Sequence, residues 1–318
     1  MAAIYLSEAE VEQLLDMPAA LDAVEEAFRR LATGEAVNVP RHRAVSQGLV
    51  LHTMSAAAPY LGLAGWKSYT TTKAGARFML GLYDHATGGL VAMIEADYLG
   101  RLRTGAATGV AAEWLAPSHA TEVGIFGSGR QARTQLEALA RVRPLKRAFV
   151  YCRDEQRREA FAESMTRRLG FEVVPVDRPQ EAVADLPIVV TATTSARPVF
   201  DGNDLAEGTL VCAVGSNWLS RAEIDAHTVR RADNIVCDSV EACRAEAGDF
   251  VDAQEKGSFH WQRAVGLADV VAGNATGRNS PESVVLFKSV GLAIEDIALG
   301  ALLLERARAQ GVGRELPF

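Results

Sequence analysis

Residues 121–140 read TEVGIFGSGRQARTQLEALA, and the order of residue types in this stretch decides the fold. Val123-Gly124-Ile125-Phe126 has the text of a short buried strand, and Gln131–Ala140 has the text of a helix. Between them Gly127, Gly129 and Ala132 spell G-x-G-x-x-A. In that setting Gly127 permits a tight turn, Gly129 lets a pyrophosphate approach the backbone, and Ala132 keeps the helix close to the sheet. The helix N-terminus adds amides without helical partners and a partial positive charge. A bare glycine pattern often marks only a turn, but a strand before it and a helix after it specify a dinucleotide-binding unit.

Downstream, the same rhythm continues. The apolar runs RAFVY (147–151), FEVVPV (171–176), PIVVTAT (187–193), GTLVCAVG (208–215) and NIVCD (234–238) alternate with helical segments. Together with the first run they predict about six buried parallel strands and a doubly wound sheet. Upstream, Ser7 and Glu10 have capping-box spacing, and Leu21, Val24 and Phe28 continue a helical pattern that Gly34 ends. From Leu49 the text turns to strands, LVLHTM, AGWKSY, RFMLGLYD and LVAMI, with His85–Gly89 as a hairpin connection. An alanine-rich helix over 98–115 closes at Pro117. Residues 283–311 read as one helix, apolar on most faces and therefore buried between elements or at a subunit interface.

The length of 318 residues suits two domains, and 48% hydrophobic with 23% charged residues suits a soluble globular chain. A net charge of −7 argues against a nucleic-acid partner, which needs a basic face. No apolar run reaches membrane-spanning length, and the N-terminus carries acids where a secretion signal carries lysines, so a cytoplasmic protein is expected. The four cysteines form no C-x-x-C pair and the six histidines no H-x-x-x-H pair, so neither a disulfide framework nor a metal centre is expected.

The end of the second strand selects the dinucleotide. NAD sites place an acid there to bond the ribose hydroxyls. Here the strand ends Val150-Tyr151-Cys152-Arg153-Asp154, with Arg153 placed to pair a 2′-phosphate. The expectation is NADP(H), with NAD(H) possible if Asp154 bonds the ribose instead.

Five segments taken together resemble the ornithine cyclodeaminase/μ-crystallin family: LRTGAATGVAAEWLA (102–116), GIFGSGRQARTQLEAL (124–139), VVTATTSARPVF (189–200), VCAVGSNWLSRAEID (211–225) and LFKSVGLAIEDIA (286–298). They occur in the family's order along nearly the whole chain. The resemblance implies an α/β protein, a homodimer, in which a Rossmann domain (118–288) is inserted into an α+β substrate and dimerisation domain formed by both chain ends (1–117 and 289–318). It also implies chemistry on small α-imino or α-amino acids with a nicotinamide cofactor.

Carried over residue by residue, the resemblance implies that Arg41 and Arg103 contact the substrate carboxylate, Arg103 also lying near the cofactor, and that Lys67 is the active-site lysine. Cofactor contacts are expected from Gly127, Ser128, Gly129, Arg130 and Gln131 in the turn, and from Cys152, Arg153 and Asp154 at the second strand. Thr191, Ala192, Thr193, Val214, Gly215, Lys288 and Ser289 complete the expected set. The chemistry is coherent. Guanidinium groups orient a carboxylate beside the carbon that receives hydride, and an ammonium whose pKa is lowered by cationic neighbours can supply a proton. Taken singly, Arg41 and Arg103 would more often be ordinary surface or ion-paired arginines. Lys67 lies in an apolar strand, where a lysine without a counter-charge is costly. Glu295 and Asp296 read as structural acids at a helix start or interface.

The departures are at Asn217 and His52. Ornithine cyclodeaminases carry an aspartate that handles the substrate amine where this chain has Asn217, and a glutamate for the distal ammonium where it has His52. Asparagine cannot take a proton at neutral pH, although it can orient a nitrogen by hydrogen bonding. It also tolerates the unusual backbone that follows a glycine. The sequence therefore points to an NAD(P)H-dependent reductase of an α-imino acid, or the reverse amino-acid dehydrogenase, with Lys67 and Asn217 as catalytic groups. The alternatives are an ornithine cyclodeaminase-type lyase and a non-catalytic, μ-crystallin-like binder of NADP(H) and a carboxylate-bearing ligand.

Overall fold

The computed structural model describes residues 2–317. The chain divides into two compact units, Met1–Arg103 with Gly291–Phe318, and Thr104–Val290.

The first unit is a seven-stranded sheet with helices on its buried face. Its strands are β1 (Ile4–Leu6), β2 (Val37–Ser46), β3 (Leu49–Ala58), β4 (Leu63–Thr72), β5 (Gly75–Asp84) and β6 (Leu90–Glu95), with Arg314–Glu315 as a final short strand. The order is that final strand, then β1-β6-β5-β4-β3-β2, antiparallel except for the β1–β6 pair. Helices α1 (Glu8–Leu14) and α2 (Met17–Ala32) and the C-terminal helix Ala293–Gln310 supply the cover. Leu6, Val24, Phe28, Leu80, Leu82, Ile94, Ile297 and Leu303 form its core.

Period-two alternation decides which side chains face that core. Along β4 the buried positions are Leu63, Gly65, Lys67 and Tyr69, so Lys67 points inward from a strand whose neighbours are apolar. Met54 on β3 and Leu80 on β5 flank it in register. Strand β2, absent from the sequence reading, carries Pro40, which lacks a ladder donor and is tolerated because β2 is the sheet edge. Its register against β3 shifts between Val39 and His42, and this irregularity re-aims Arg41 into the unit, where it is buried.

The second unit is an eight-stranded, wholly parallel sheet. Its strands are β7 (Glu122–Phe126), β8 (Arg147–Tyr151), β9 (Glu172–Pro175), β10 (Ile188–Thr191), β11 (Leu210–Ala213), β12 (Asn234–Cys237), β13 (Ala264–Gly266) and β14 (Val285–Lys288). The order β13-β12-β14-β11-β10-β7-β8-β9 places the reversal of winding between β7 and β10, the point where doubly wound sheets bind ligands.

Two sequence expectations change here. Residues 283–311 are not one helix: Val285–Lys288 is a fully buried strand between β11 and β12, and only Ala293–Gln310 is helical. A short apolar run bounded by a glycine has no period that separates buried strand from buried helix. The units also divide within helix α3 (Asp97–Leu115) instead of at Pro117. Its second half packs on α4 (Arg130–Val142), where Gln135 Nε2 donates to the Thr104 carbonyl at 3.1 Å and a Cβ on Gly105 would lie 2.5 Å from the Thr134 carbonyl.

Candidate active site

In the second unit, Gly127 adopts φ +109°, and a Cβ there would lie 2.5 Å from the Ala192 carbonyl, so both conformation and space demand glycine. Gly129 is the N-cap of α4, and a Cβ on it would meet nothing within 4 Å, which leaves its backbone open to a pyrophosphate. Ala132 is fully buried against the sheet. Arg130 and Gln131 form the first turn of α4. Ser128 Oγ donates to Cys152 Sγ at 3.1 Å, tying this turn to the tip of β8. Arg153 is exposed. The carboxylate of Asp154 accepts the Arg157 amide at 3.0 Å and caps helix α5 (Glu155–Leu169). A dinucleotide therefore fits this edge: a glycine turn opens onto a thirteen-residue helix beside the switch point.

Thr191, Ala192 and Thr193 run out of β10, and Val214 and Gly215 follow β11 on the same edge of the sheet. Asn217 is half-buried in the segment after Gly215. Lys288 is fully buried, its ammonium donating to the Ser216 carbonyl at 2.8 Å and standing 2.7 Å from Asp249 Oδ2. Burial alone would lower its pKa, but the carboxylates of Asp249 and Glu223 outweigh that and hold it raised. Ser289 Oγ donates to Asp238 Oδ2 at 2.8 Å.

In the first unit, Lys67 is buried and its ammonium donates to Asp296 Oδ1 at 2.6 Å. The same oxygen accepts Arg103 Nε at 3.2 Å, and Arg103 Nη1 donates to Glu295 Oε2 at 3.0 Å. Arg41 donates to the Gly291 carbonyl at 3.4 Å, with its guanidinium 5.9 Å from the centre of the Tyr69 ring. Desolvation pushes the Lys67 ammonium down to about 8; Arg103 and Arg41 add to the fall, and Asp296 resists it. Two glycines make the cluster possible. A Cβ on Gly100 would lie 2.8 Å from Lys67 Nζ, and Gly291, at φ +83°, leaves room for the Arg103 guanidinium.

His52 stacks on Tyr69 with ring centres 4.1 Å apart. Its Nδ1 accepts from Arg43 Nε at 3.2 Å, which leaves Nε2 to donate to Thr71 Oγ1 at 3.1 Å. Burial and the charges of Arg43 and Arg41 push its pKa down to about 4, so the ring is neutral at neutral pH.

The structure thus brings Arg41, Lys67 and Arg103 into one buried cluster and adds Glu295 and Asp296, which are counter-charges of that cluster and not only structural acids at a helix start. A signal was present. A lysine inside an apolar strand requires a buried anion, and these two acids stand alone in an otherwise apolar helical stretch. Among the described residues, no group of three or more His, Cys, Asp or Glu side chains is gathered to hold a metal, and no helix is long and apolar enough to cross a membrane.

Comparisons with known proteins agree on one relationship. The sequence model of the ornithine cyclodeaminase/mu-crystallin family matches residues 1–311. The chain is 37% identical to a Delta(1)-pyrroline-2-carboxylate reductase of Bacillus cereus over 238 residues, covering 74% of this chain and 73% of that protein. It is 32% identical to an alanine dehydrogenase of Archaeoglobus fulgidus, covering 100% of this chain and 99% of that one. The structure of Thermococcus litoralis Delta(1)-pyrroline-2-carboxylate reductase with NADH and L-proline superposes with a TM-score of 0.94, at 33% identity over 98% of this chain and 100% of that chain.

Proposed function

The chain belongs to the ornithine cyclodeaminase/mu-crystallin family, and from that premise we propose that it is a nicotinamide-dependent oxidoreductase reducing an α-imino acid to an α-amino acid, or running the reverse dehydrogenation. The observation that carries this reading is the buried Lys67 ammonium, paired with Asp296 beside Arg103 and pushed down to about 8. A group with that pKa holds a proton at neutral pH and releases it readily.

When bound, the dinucleotide supplies the hydride. The turn at Gly127, whose own amide donates to the Tyr151 carbonyl at 2.9 Å, and the amides of Ser128–Gln131 at the start of α4 would hold its pyrophosphate. NADP(H) is the preferred cofactor in this reading, because Arg153 stands exposed to pair a 2′-phosphate at the tip of β8, where Asp154 Oδ1 caps α5. Arg41 anchors the substrate carboxylate, and Arg103, fixed by Glu295 and Asp296, supplies the second guanidinium. Lys67 Nζ delivers a proton to the imine nitrogen as the adjacent carbon is reduced. His52 is neutral, stacked and bonded on both nitrogens, so it provides no anion for the distal ammonium of a diamino acid. Relatives named as reductases and dehydrogenases support the same direction. The protein acts as a homodimer in this reading. Val39, Leu49, Leu51 and Tyr83 are exposed on the first sheet, an apolar surface for a second copy.

The test follows the 340-nm absorbance of NADPH and NADH with Δ1-pyrroline-2-carboxylate, Δ1-piperideine-2-carboxylate, and pyruvate plus ammonia. Steady oxidation with one of them is the expected result. Proline and ammonia formed from L-ornithine with NAD, without net cofactor turnover, would replace this reading with the lyase.

A further inference from the structure

Glu223 is fully buried in the second unit and takes no part in the chemistry above. Its Oε1 accepts both the amide and the hydroxyl of Thr193 at 2.7 Å. Its Oε2 accepts the Thr191 hydroxyl at 3.0 Å and the Gly215 amide at 2.6 Å. Behind it, the amides of Glu223 and Ile224 donate to Asp249 Oδ1 at 2.7 and 3.2 Å. Asp249 Oδ2 meets Lys288, whose ammonium reaches the Ser216 carbonyl. One buried polar chain therefore ties together the ends of β10, β11 and β14.

We infer that Glu223 is a positioning residue for the dinucleotide site: its carboxylate, backed by Asp249 and Lys288, fixes the backbone of residues 191–193 and 214–216 in the form the cofactor meets. This rests on the dinucleotide reading given above. A backbone amide holds each carboxylate oxygen, Thr193 on Oε1 and Gly215 on Oε2, and the ionised carboxylate has the lone pairs to accept these and both threonine hydroxyls at once. Burial pushes the Glu223 carboxyl up from its ordinary value, and Lys288 and the Thr193 donors pull it back. A buried set of two acids and one lysine is a poor device for stability alone, since apolar side chains of the same volume commonly do as well. What the set does accomplish is geometric. The two loops lie so close that a Cβ on Gly215 would stand 2.5 Å from the Thr193 carbonyl.

Glutamine at this position is a sharp probe. Each carboxylate oxygen holds one backbone amide, Thr193 on Oε1 and Gly215 on Oε2. The threonine hydroxyls can rotate to accept, but the amides cannot. Either orientation of a glutamine amide sets its NH2 against one of them, so one loop must move.

Intrinsic fluorescence titration of wild type and Glu223→Gln with NADPH and with NADH, at a temperature well below each melting point, tests the inference. A folded Glu223→Gln with dissociation constants for both dinucleotides raised tenfold or more is the expected result. A folded variant with a lower melting point and wild-type affinity would assign Glu223 to stability alone and overturn the proposal. If Glu223→Gln fails to fold, Glu223→Asp is titrated in its place; it keeps the charge and shortens the reach. Several-fold weaker binding by Glu223→Asp supports the inference, and unchanged binding overturns it. Wild-type protein that binds neither dinucleotide would instead sink the dinucleotide reading on which the proposal stands.

Discussion

Lys67 and Arg103 share a single carboxylate oxygen: Asp296 Oδ1 lies 2.6 Å from the lysine ammonium and 3.2 Å from Arg103 Nε. Two cations on one buried oxygen place Lys67 under opposing pressures. Desolvation and the neighbouring guanidinium groups favour the neutral amine, and Asp296 favours the ammonium. The balance leaves a proton that is held but easily given up.

That balance fixes a pH dependence. The groups facing Lys67 are Asp296 on the C-terminal helix, Arg103 on α3, Arg41 on β2 and the Phe78 ring on β5, 5.6 Å from the ammonium. With Lys67 as the proposed proton donor, reduction requires its protonated form, so kcat/KM for the imine is expected to fall as pH rises through about 8. The reverse dehydrogenation needs the neutral amine and should rise over the same range. Lys67→Met, which removes the proton donor at similar volume, should lower kcat by about 10²–10⁴-fold. Initial rates between pH 6 and 10, in both directions, check this. A flat profile in wild type would remove Lys67 from proton transfer.

Asp296→Asn keeps the shape of the side chain and removes its charge. Asp296 is the group that raises the Lys67 pKa, so the alkaline limb of the reductive profile should move to lower pH. Breaking one side of a buried ion pair also costs about 3–5 kcal/mol of stability, visible as a lower urea midpoint. A limb that stays in place while stability falls would make Asp296 a purely structural partner of Arg103.

The parts of this molecule that were legible in the sequence are those with local signals. The turn at Gly127–Ala132 could be read because strand, glycines and helix are contiguous, and β3 to β6 could be read from alternating text. Lys67 stood out because a charge in an apolar strand violates the usual pattern. The partner of Lys67 did not, because Asp296 lies more than two hundred residues away and meets it only through the sheet-on-helix packing of the first unit. Strand β2 was hidden by Pro40 and by the irregularity at Arg41. Strand β14 was hidden because a four-residue buried run has no diagnostic period. Glu223 was invisible for the same reason as Asp296: its four donors come from segments that the chain brings together only when the parallel sheet is complete.

Gly100 marks a steric requirement of the cluster. A Cβ there would lie 2.8 Å from Lys67 Nζ, closer than such contacts normally come. Gly100 is in the first turn of α3, a helical position where alanine is a better helix former than glycine. Gly100→Ala should therefore leave the helix intact and displace the ammonium, lowering kcat at least tenfold while far-UV circular dichroism stays unchanged. A fully active Gly100→Ala would show that Lys67 can work from another position.

The proposed preference for NADP(H) makes a prediction about Arg153. Its neighbour Asp154 commits one carboxylate oxygen, Oδ1, to the Arg157 amide at 3.0 Å and so caps α5. Arg153 is exposed beside it, at the strand tip where a 2′-phosphate is met in NADP sites. A charge-assisted pair of this kind contributes about 1.5–3 kcal/mol, so Arg153→Ala should raise the KM for NADPH by about tenfold or more. The KM for NADH, which has no 2′-phosphate, should stay within about twofold, because the mutation removes nothing that NADH uses. Raising the salt concentration should weaken NADPH binding more than NADH binding in wild type, and the difference should vanish in Arg153→Ala. Equal losses for the two cofactors would show that Arg153 supports the shape of the loop instead of reading the phosphate. The preference would then have to be sought in Cys152 and in the turn it shares with Ser128.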